Sequence, residues 1–126
     1  MRKLSSSGSL FEETIGFSRA CRVGSVIAVA GTASLSDTGE TMHKGDAYGQ
    51  TKRCLELSLS AIEELGGSVE GIVRTRIMLK DIKDWELAAK AHGEIFSAIK
   101  PACTFVEVKG FINPEWLVET EVECVA

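Results

Sequence analysis

The sequence predicts an α+β domain, a mixed sheet with two helices packed on one of its faces. Three observations carry that reading. Two stretches alternate apolar and polar residues with period two, two others place apolar residues at helical spacing, and the order along the chain is strands, helix, strand, helix, strands.

Arg19 to Gly31 begins polar and becomes apolar, ending Val26-Ile27-Ala28-Val29-Ala30. Such a run predicts one strand covered on both faces. Ser36 to Gly39 holds Ser, Asp, Thr and Gly and reads as a turn. A helix is expected over Asp46 to Leu65, with Asp46 as its N-cap, Leu55, Leu59 and Ile62 on its apolar stripe and Gly66-Gly67 ending it. Val69 to Leu79 reads as a strand. Val73, Thr75, Ile77 and Leu79 face one way, and Arg74, Arg76, Met78 and Lys80 the other. A second helix is expected over Asp84 to Ile99, with Ala88, Ala91, Ile95 and Ile99 inward and Pro101 beyond its end. Ala102 to Val108 and Leu117 to Val125 complete the strands. In the last, Val118, Thr120, Val122 and Cys124 oppose Glu119, Glu121 and Glu123.

The 126 residues fit one domain over 1–126, and 44% hydrophobic with 25% charged residues excludes a disordered or low-complexity chain. The net charge of −4 supplies no basic field for nucleic acid. There is no apolar run of about 18 residues, so no membrane span is expected. Ser5, Ser6, Ser7 and Gly8 fall where a signal peptide needs its apolar stretch, so the expected location is cytoplasmic.

The alternating strands are expected to be neighbours, pairing Arg74, Arg76 and Lys80 with the three glutamates on the face away from the helices. The runs around Ile27 and Phe105 are expected to add apolar side chains to that face. A face of paired charge and apolar residues suits a subunit interface, so a homo-oligomer is expected.

Glu121, central in its row, is the candidate catalytic carboxyl; a glutamate enclosed in a cleft could take a raised pKa and move a proton. Cys103, after Lys100-Pro101-Ala102, is a weaker candidate nucleophile, and buried thiols are the plain reading of Cys21, Cys54, Cys103 and Cys124, which form no close pair. His43 and His92 lack metal-ligand spacing, so neither a metal nor a cofactor is expected. Trp85 reads as packing rather than as a stacking platform. No phosphate-binding glycine loop or nucleophile elbow is present.

Several segments together resemble the YjgF/Rid (reactive intermediate deaminase, L-PSP endoribonuclease-like) family. They are Gly16-Phe17-Ser18-Arg19-Ala20 with Val23-Gly24, Val29-Ala30-Gly31-Thr32, Gly71 to Asp81, Lys100-Pro101-Ala102-Cys103-Thr104-Phe105-Val106-Glu107-Val108, and Pro114-Glu115-Trp116-Leu117-Val118-Glu119 with Glu121. The resemblance implies a chorismate-mutase-like fold, a homotrimer, and inter-subunit clefts lined by the sheet face opposite the helices. It implies hydrolysis of enamines and imines such as 2-aminoacrylate. Family members grip the substrate carboxylate with an arginine where this chain has Cys103. The family's tyrosine, serine, helix asparagine and the cysteine two places after that arginine match Phe17, Ala30, Ala89 and Phe105, while its glutamate matches Glu121. The ligand-contacting set implied here is Phe17, Arg19, Ala30, Gly31, Cys103, Thr104 and Phe105. Arg19, Arg74 or Arg76 could replace the missing cation. Two functions follow: hydrolysis of a small imine or enamine with Glu121 positioning water, or a non-catalytic small-molecule-binding trimer. A cleft apolar at Phe17, Ala30 and Phe105 and acidic at Glu121 would prefer neutral or cationic ligands. The acidic charge and the absence of a histidine pair or an aromatic stacking set argue against a ribonuclease.

Overall fold

A computed structural model describes residues 1–126. Six strands form one sheet: β1 (Arg2–Ser5), β2 (Ala20–Val23), β3 (Val26–Thr32), β4 (Ile72–Leu79), β5 (Ala102–Glu107) and β6 (Val118–Val125), in the spatial order β1-β2-β3-β6-β4-β5. β4 and β5 run parallel and every other pair is antiparallel. The parallel pair needs a crossover, which α2 (Trp85–Phe96) supplies. The longer helix α1 (Ala47–Glu64) connects β3 to β4.

α1 starts where Asp46 accepts a hydrogen bond from the Gly49 amide at 2.9 Å, and it ends before Gly66, whose φ of 87° is the left-handed geometry glycine takes without penalty. Leu55 and Ile62 of α1 and Phe96 of α2 pack on Ile27, Val29, Ile72, Val122 and Cys124 of the sheet. A second cluster joins Cys54 and Ala88 to Ile77, Leu79 and Val118. Each large side chain so enclosed contributes about 1.5–3 kcal/mol of transfer free energy. Both helices therefore cover one face, and the other is open.

β4 and β6 are neighbours, as the charge pattern predicts, with Arg74 opposite Glu123 and Arg76 opposite Glu121. The expected pairing of Lys80 with a glutamate does not form: the register sets Met78 opposite Glu119, and the Lys80 ammonium donates to the Pro114 carbonyl at 3.0 Å. Four further expectations of the fold need correction. The run Arg19 to Gly31 is two strands, not one, because Gly24-Ser25 forms a tight turn between the paired Val23 and Val26, with Gly24 at φ 60° and Ser25 outside the positive-φ region. Nor is the run covered on both faces. Ile27 and Val29 enter the core, whereas Val26 is 56% exposed and Ala28 and Ala30 look out from the open face.

Val73 does not face the core. The pairing register shifts between Ile72 and Arg74, so Val73 is the extra residue of a bulge and is exposed, while Ile72 takes the buried place. Finally, Phe105 is on the helix side. The parallel register sets it beside Ile77, a core residue, and its ring meets those of Trp85 and His92 edge-on at 6.3 Å. Strand β1 and the π-helical turn Glu12–Gly16 carry no periodic apolar signal; in β1 only Ser5 is buried.

Candidate functional site

The open face of the sheet holds a concavity of about 440 Å³, lined by Arg19, Ala30, Arg74, Arg76, Glu121 and Glu123 among others. Strand alternation delivers these side chains to the same face, and the β4–β6 register sets the charges opposite one another. Arg76 Nη1 lies 2.5 Å from Glu121 Oε1, and Arg74 Nε lies 3.7 Å from Glu123 Oε1. Both pairs are about half exposed, so each adds at most about 1 kcal/mol. Their larger consequence is to occupy Glu121, Glu123, Arg74 and Arg76 with each other.

Glu119 differs from the other two glutamates. Its register partner is Met78, not an arginine, and its carboxylate makes no hydrogen bond or ion pair within the chain. It is half-buried. Burial raises its pKa above the ordinary carboxylate range, and the charge of Glu121 raises it further. A second bulge, in β3, sets Ala30-Gly31 against the single residue Glu121 and brings Gly31 under the Glu119 carboxylate. A Cβ on Gly31 would stand 2.9 Å from Glu119 Oε1.

The raised pKa has a stability consequence with a definite sign. The folded state holds its Glu119 proton more tightly than the unfolded chain, so stability falls as pH rises from the ordinary glutamate pKa through the raised one. Glu119→Gln removes that decline and is expected to raise the melting temperature at pH 7 while changing it little at pH 4. Thermal melts of both proteins across that range check this; an equal or lower melting temperature at pH 7 contradicts it.

The remaining candidates divide. Arg19, Ala30 and Glu121 line the concavity, and Gly31 sits beside Glu119. Phe17, 39% exposed, ends the π-helical turn, its amide donating to the Glu12 carbonyl at 3.1 Å. Cys103, Thr104 and Phe105 do not line the concavity. Thr104 pairs in register with Arg76, whereas Cys103 pairs with Thr75, whose hydroxyl lies 2.8 Å from His92 Nε2. Burial lowers the His92 pKa, which favours the neutral ring. Of the four cysteines read as buried thiols, Cys54 and Cys124 are buried, Cys21 is half-buried and Cys103 is exposed; desolvation strongly favours the protonated thiol of Cys54. No cluster of three or more His, Cys, Asp or Glu side chains is placed to hold a metal ion, and no helix is long and apolar enough to cross a membrane.

Glu119 is the functional candidate that the sequence reading passes over. The signal was present in the alternation: β4 offers two arginines and then Met78, so one glutamate of the three had to face an uncharged partner.

One six-stranded sheet with two helices on a single face and a carboxyl-bearing open face defines an α+β domain of a recognisable class. The family model described as Endoribonuclease L-PSP matches residues 9–126, and the chain belongs to this YjgF/Rid family. It is 39% identical over 118 residues to the Streptomyces coelicolor protein SCO2049, covering 93% of this chain and 87% of that one. It is 29% identical over 100 residues to the 3-aminoacrylate deaminase RutC of Acinetobacter baylyi, covering 79% of each. Among solved structures, Rv2704 of Mycobacterium tuberculosis, a member of the YjgF/YER057c/UK114 family, superposes with a TM-score of 0.89 at 36% identity over the whole of both chains. Membership supports a protein that acts on a small metabolite.

Proposed function

We propose that the chain is a homotrimer that hydrolyses a small imine or enamine at its open sheet face, with Glu119 as the proton-handling group. The observation that carries this is the half-buried, unpartnered Glu119 carboxyl with its raised pKa, seated over Gly31, where a side chain would crowd it. The relative named as a 3-aminoacrylate deaminase is consistent with that chemistry. Water adds to the imine carbon while Glu119 takes one of its protons. The carboxyl returns that proton to nitrogen, giving the neutral carbinolamine, and the hydroxyl proton then passes by way of the same carboxylate to nitrogen as the C–N bond breaks, releasing the carbonyl product and ammonia; an enamine first becomes the imine by gaining a proton on carbon and losing one from nitrogen. The step consumes water and needs no oxidant or reductant. Glu121, the carboxyl expected from the sequence, is held by Arg76, and its role here is to raise the Glu119 pKa by its negative charge.

The trimer rests on the open face. Val26, Ala28 and Ala30 are exposed there, and Leu10, Phe11 and Ile15 are exposed in the N-terminal segment. Exposed apolar side chains of this kind suit burial against other copies of the chain.

The test is ammonia release from 2-aminoacrylate generated in a coupled assay, together with light scattering of the purified protein. A trimeric mass and release well above the uncatalysed rate are expected. A trimer that binds 2-aminoacrylate or its product without accelerating release would replace this reading with the non-catalytic one.

A further inference from the structure

The Glu119 end of the open face is apolar, unlike the concavity beside it. The register sets Glu119 of β6 against Met78 of β4, and Val106 of β5 against the same Met78. Paired residues share a face, so Met78 and Val106 stand on the open side with the carboxyl. Both are half-buried. The Met78 methyl reaches across toward Gly31: a Cβ there would stand 3.9 Å from Met78 Cε and 2.9 Å from Glu119 Oε1. Carboxyl and thioether methyl therefore meet over one bare stretch of backbone.

No lysine or arginine balances this carboxyl. Arg74 and Arg76 are held by Glu123 and Glu121. Lys80, two residues beyond Met78, donates to the Pro114 carbonyl at 3.0 Å. Arg19 stands beside Ala30 at the start of β2, two strands from β6. The neighbouring charge that bears on Glu119 is that of Glu121, and it is negative. A bound carboxylate would meet two carboxyl groups and no free cation, whereas a bound cation would meet its complement.

We infer that the substrate of this site is an iminium ion without a carboxylate, of the form an aliphatic primary amine gives on oxidation, with its alkyl group lying on Met78 and Val106. The proposal rests on the hydrolytic reading above for the reacting end and names the substrate class. A cation beside Glu119 favours the ionised carboxyl, the form that takes a proton from water. The sum is iminium and water giving aldehyde and ammonium: a C–O bond forms, the C–N bond breaks, and nothing is oxidised or reduced. The neutral or cationic ligand expected from the sequence is thereby given a different apolar wall, because Phe105 faces the helices. 2-Aminoacrylate remains a substrate on this account, and a poorer one.

The experiment uses a matched pair of imines that differ only in the carboxylate. A flavin amine oxidase generates one from 3-methylbutylamine and a flavin amino-acid oxidase the other from leucine, with semicarbazide competing for each. Wild type is expected to hydrolyse the amine-derived imine with kcat/KM at least about tenfold above that of its counterpart. Calorimetry with unreactive analogues runs alongside. 3-Methylbutylammonium should bind at least about tenfold more tightly than 4-methyl-2-oxopentanoate, and Glu119→Gln should lose most of that preference. It should also bind at least about tenfold more tightly than ethylammonium, and Met78→Ser should cut that margin to about threefold. Lys44→Gln, at an exposed cation paired with Glu115, should change neither. Hydrolysis of the leucine-derived imine as fast as or faster than the amine-derived one overturns the proposal and sustains the hydrolytic reading. Equal binding of 3-methylbutylammonium and 4-methyl-2-oxopentanoate, or binding of neither, also overturns it. Selective binding of the ammonium, dependent on Glu119 and Met78, without acceleration of either imine sustains the preference for a carboxylate-free alkyl cation and overturns the hydrolytic reading.

Discussion

Glu119→Gln is expected to lower kcat for ammonia release from 2-aminoacrylate by about 10²–10⁴-fold with little change in KM, the usual span for removing a positioned acid–base group. Glutamine keeps the shape and the contact with Gly31 but cannot exchange a proton. Glu121→Gln is expected to cost less than about tenfold, because it deletes a charge that acts through Glu119 rather than on the substrate. The two variants separate the central glutamate of the row from the one that the bulge and Met78 single out. A Glu121→Gln loss as large as that of Glu119→Gln would return the catalytic role to Glu121.

The second large effect is on stability. Phe96 ends α2 with 1% of its surface exposed, inside the main core cluster and with its ring 4.6 Å from that of His92. Phe96→Ala is expected to cost about 3–5 kcal/mol from lost transfer energy and the cavity left behind. For a chain of this size that lowers the melting temperature by roughly 10–20 °C at fixed protein concentration. The variant also removes the ring that backs His92, so the contact between His92 and Thr75 should loosen. A shift of only a few degrees would mean that α2 is held to the sheet chiefly by other contacts.

The parts of the fold legible in the sequence are those with a clean period. β4 and β6 alternate over most of their length, so their faces, their adjacency and the pairing of Arg74 and Arg76 could be read from residue types alone, whereas the register leaves Lys80 without a glutamate. α1 announced itself through Asp46 and Gly66. What stayed hidden was set by register and by short breaks. Gly24-Ser25 interrupts an apolar run without changing its character, so a hairpin looked like one strand. The bulge at Val73 moves one side chain out of an otherwise regular pattern, and the bulge at Ala30-Gly31 moves the backbone under Glu119; neither leaves a mark in composition. Phe105 was assigned to the wrong face because β5 is short and apolar at several positions, and only its parallel register on β4 decides which side faces the helices.

The site was legible to a similar depth. The sequence put three glutamates and two arginines on one surface, and the family resemblance drew attention to Arg19, Gly31 and the last strand. Choosing among the glutamates needed the pairing of Arg74 and Arg76 with Glu123 and Glu121.

The central claim is that Glu119 is the carboxyl set apart for proton transfer. Carbon-13 NMR titration of the glutamate side chains, with Glu119→Gln to assign the resonance, tests it most directly. The predicted result is that the Glu119 resonance titrates above the ordinary glutamate range and that its midpoint falls in Glu121→Gln, where the neighbouring negative charge is gone. A Glu119 midpoint within the ordinary range, unmoved by Glu121→Gln, would contradict the account.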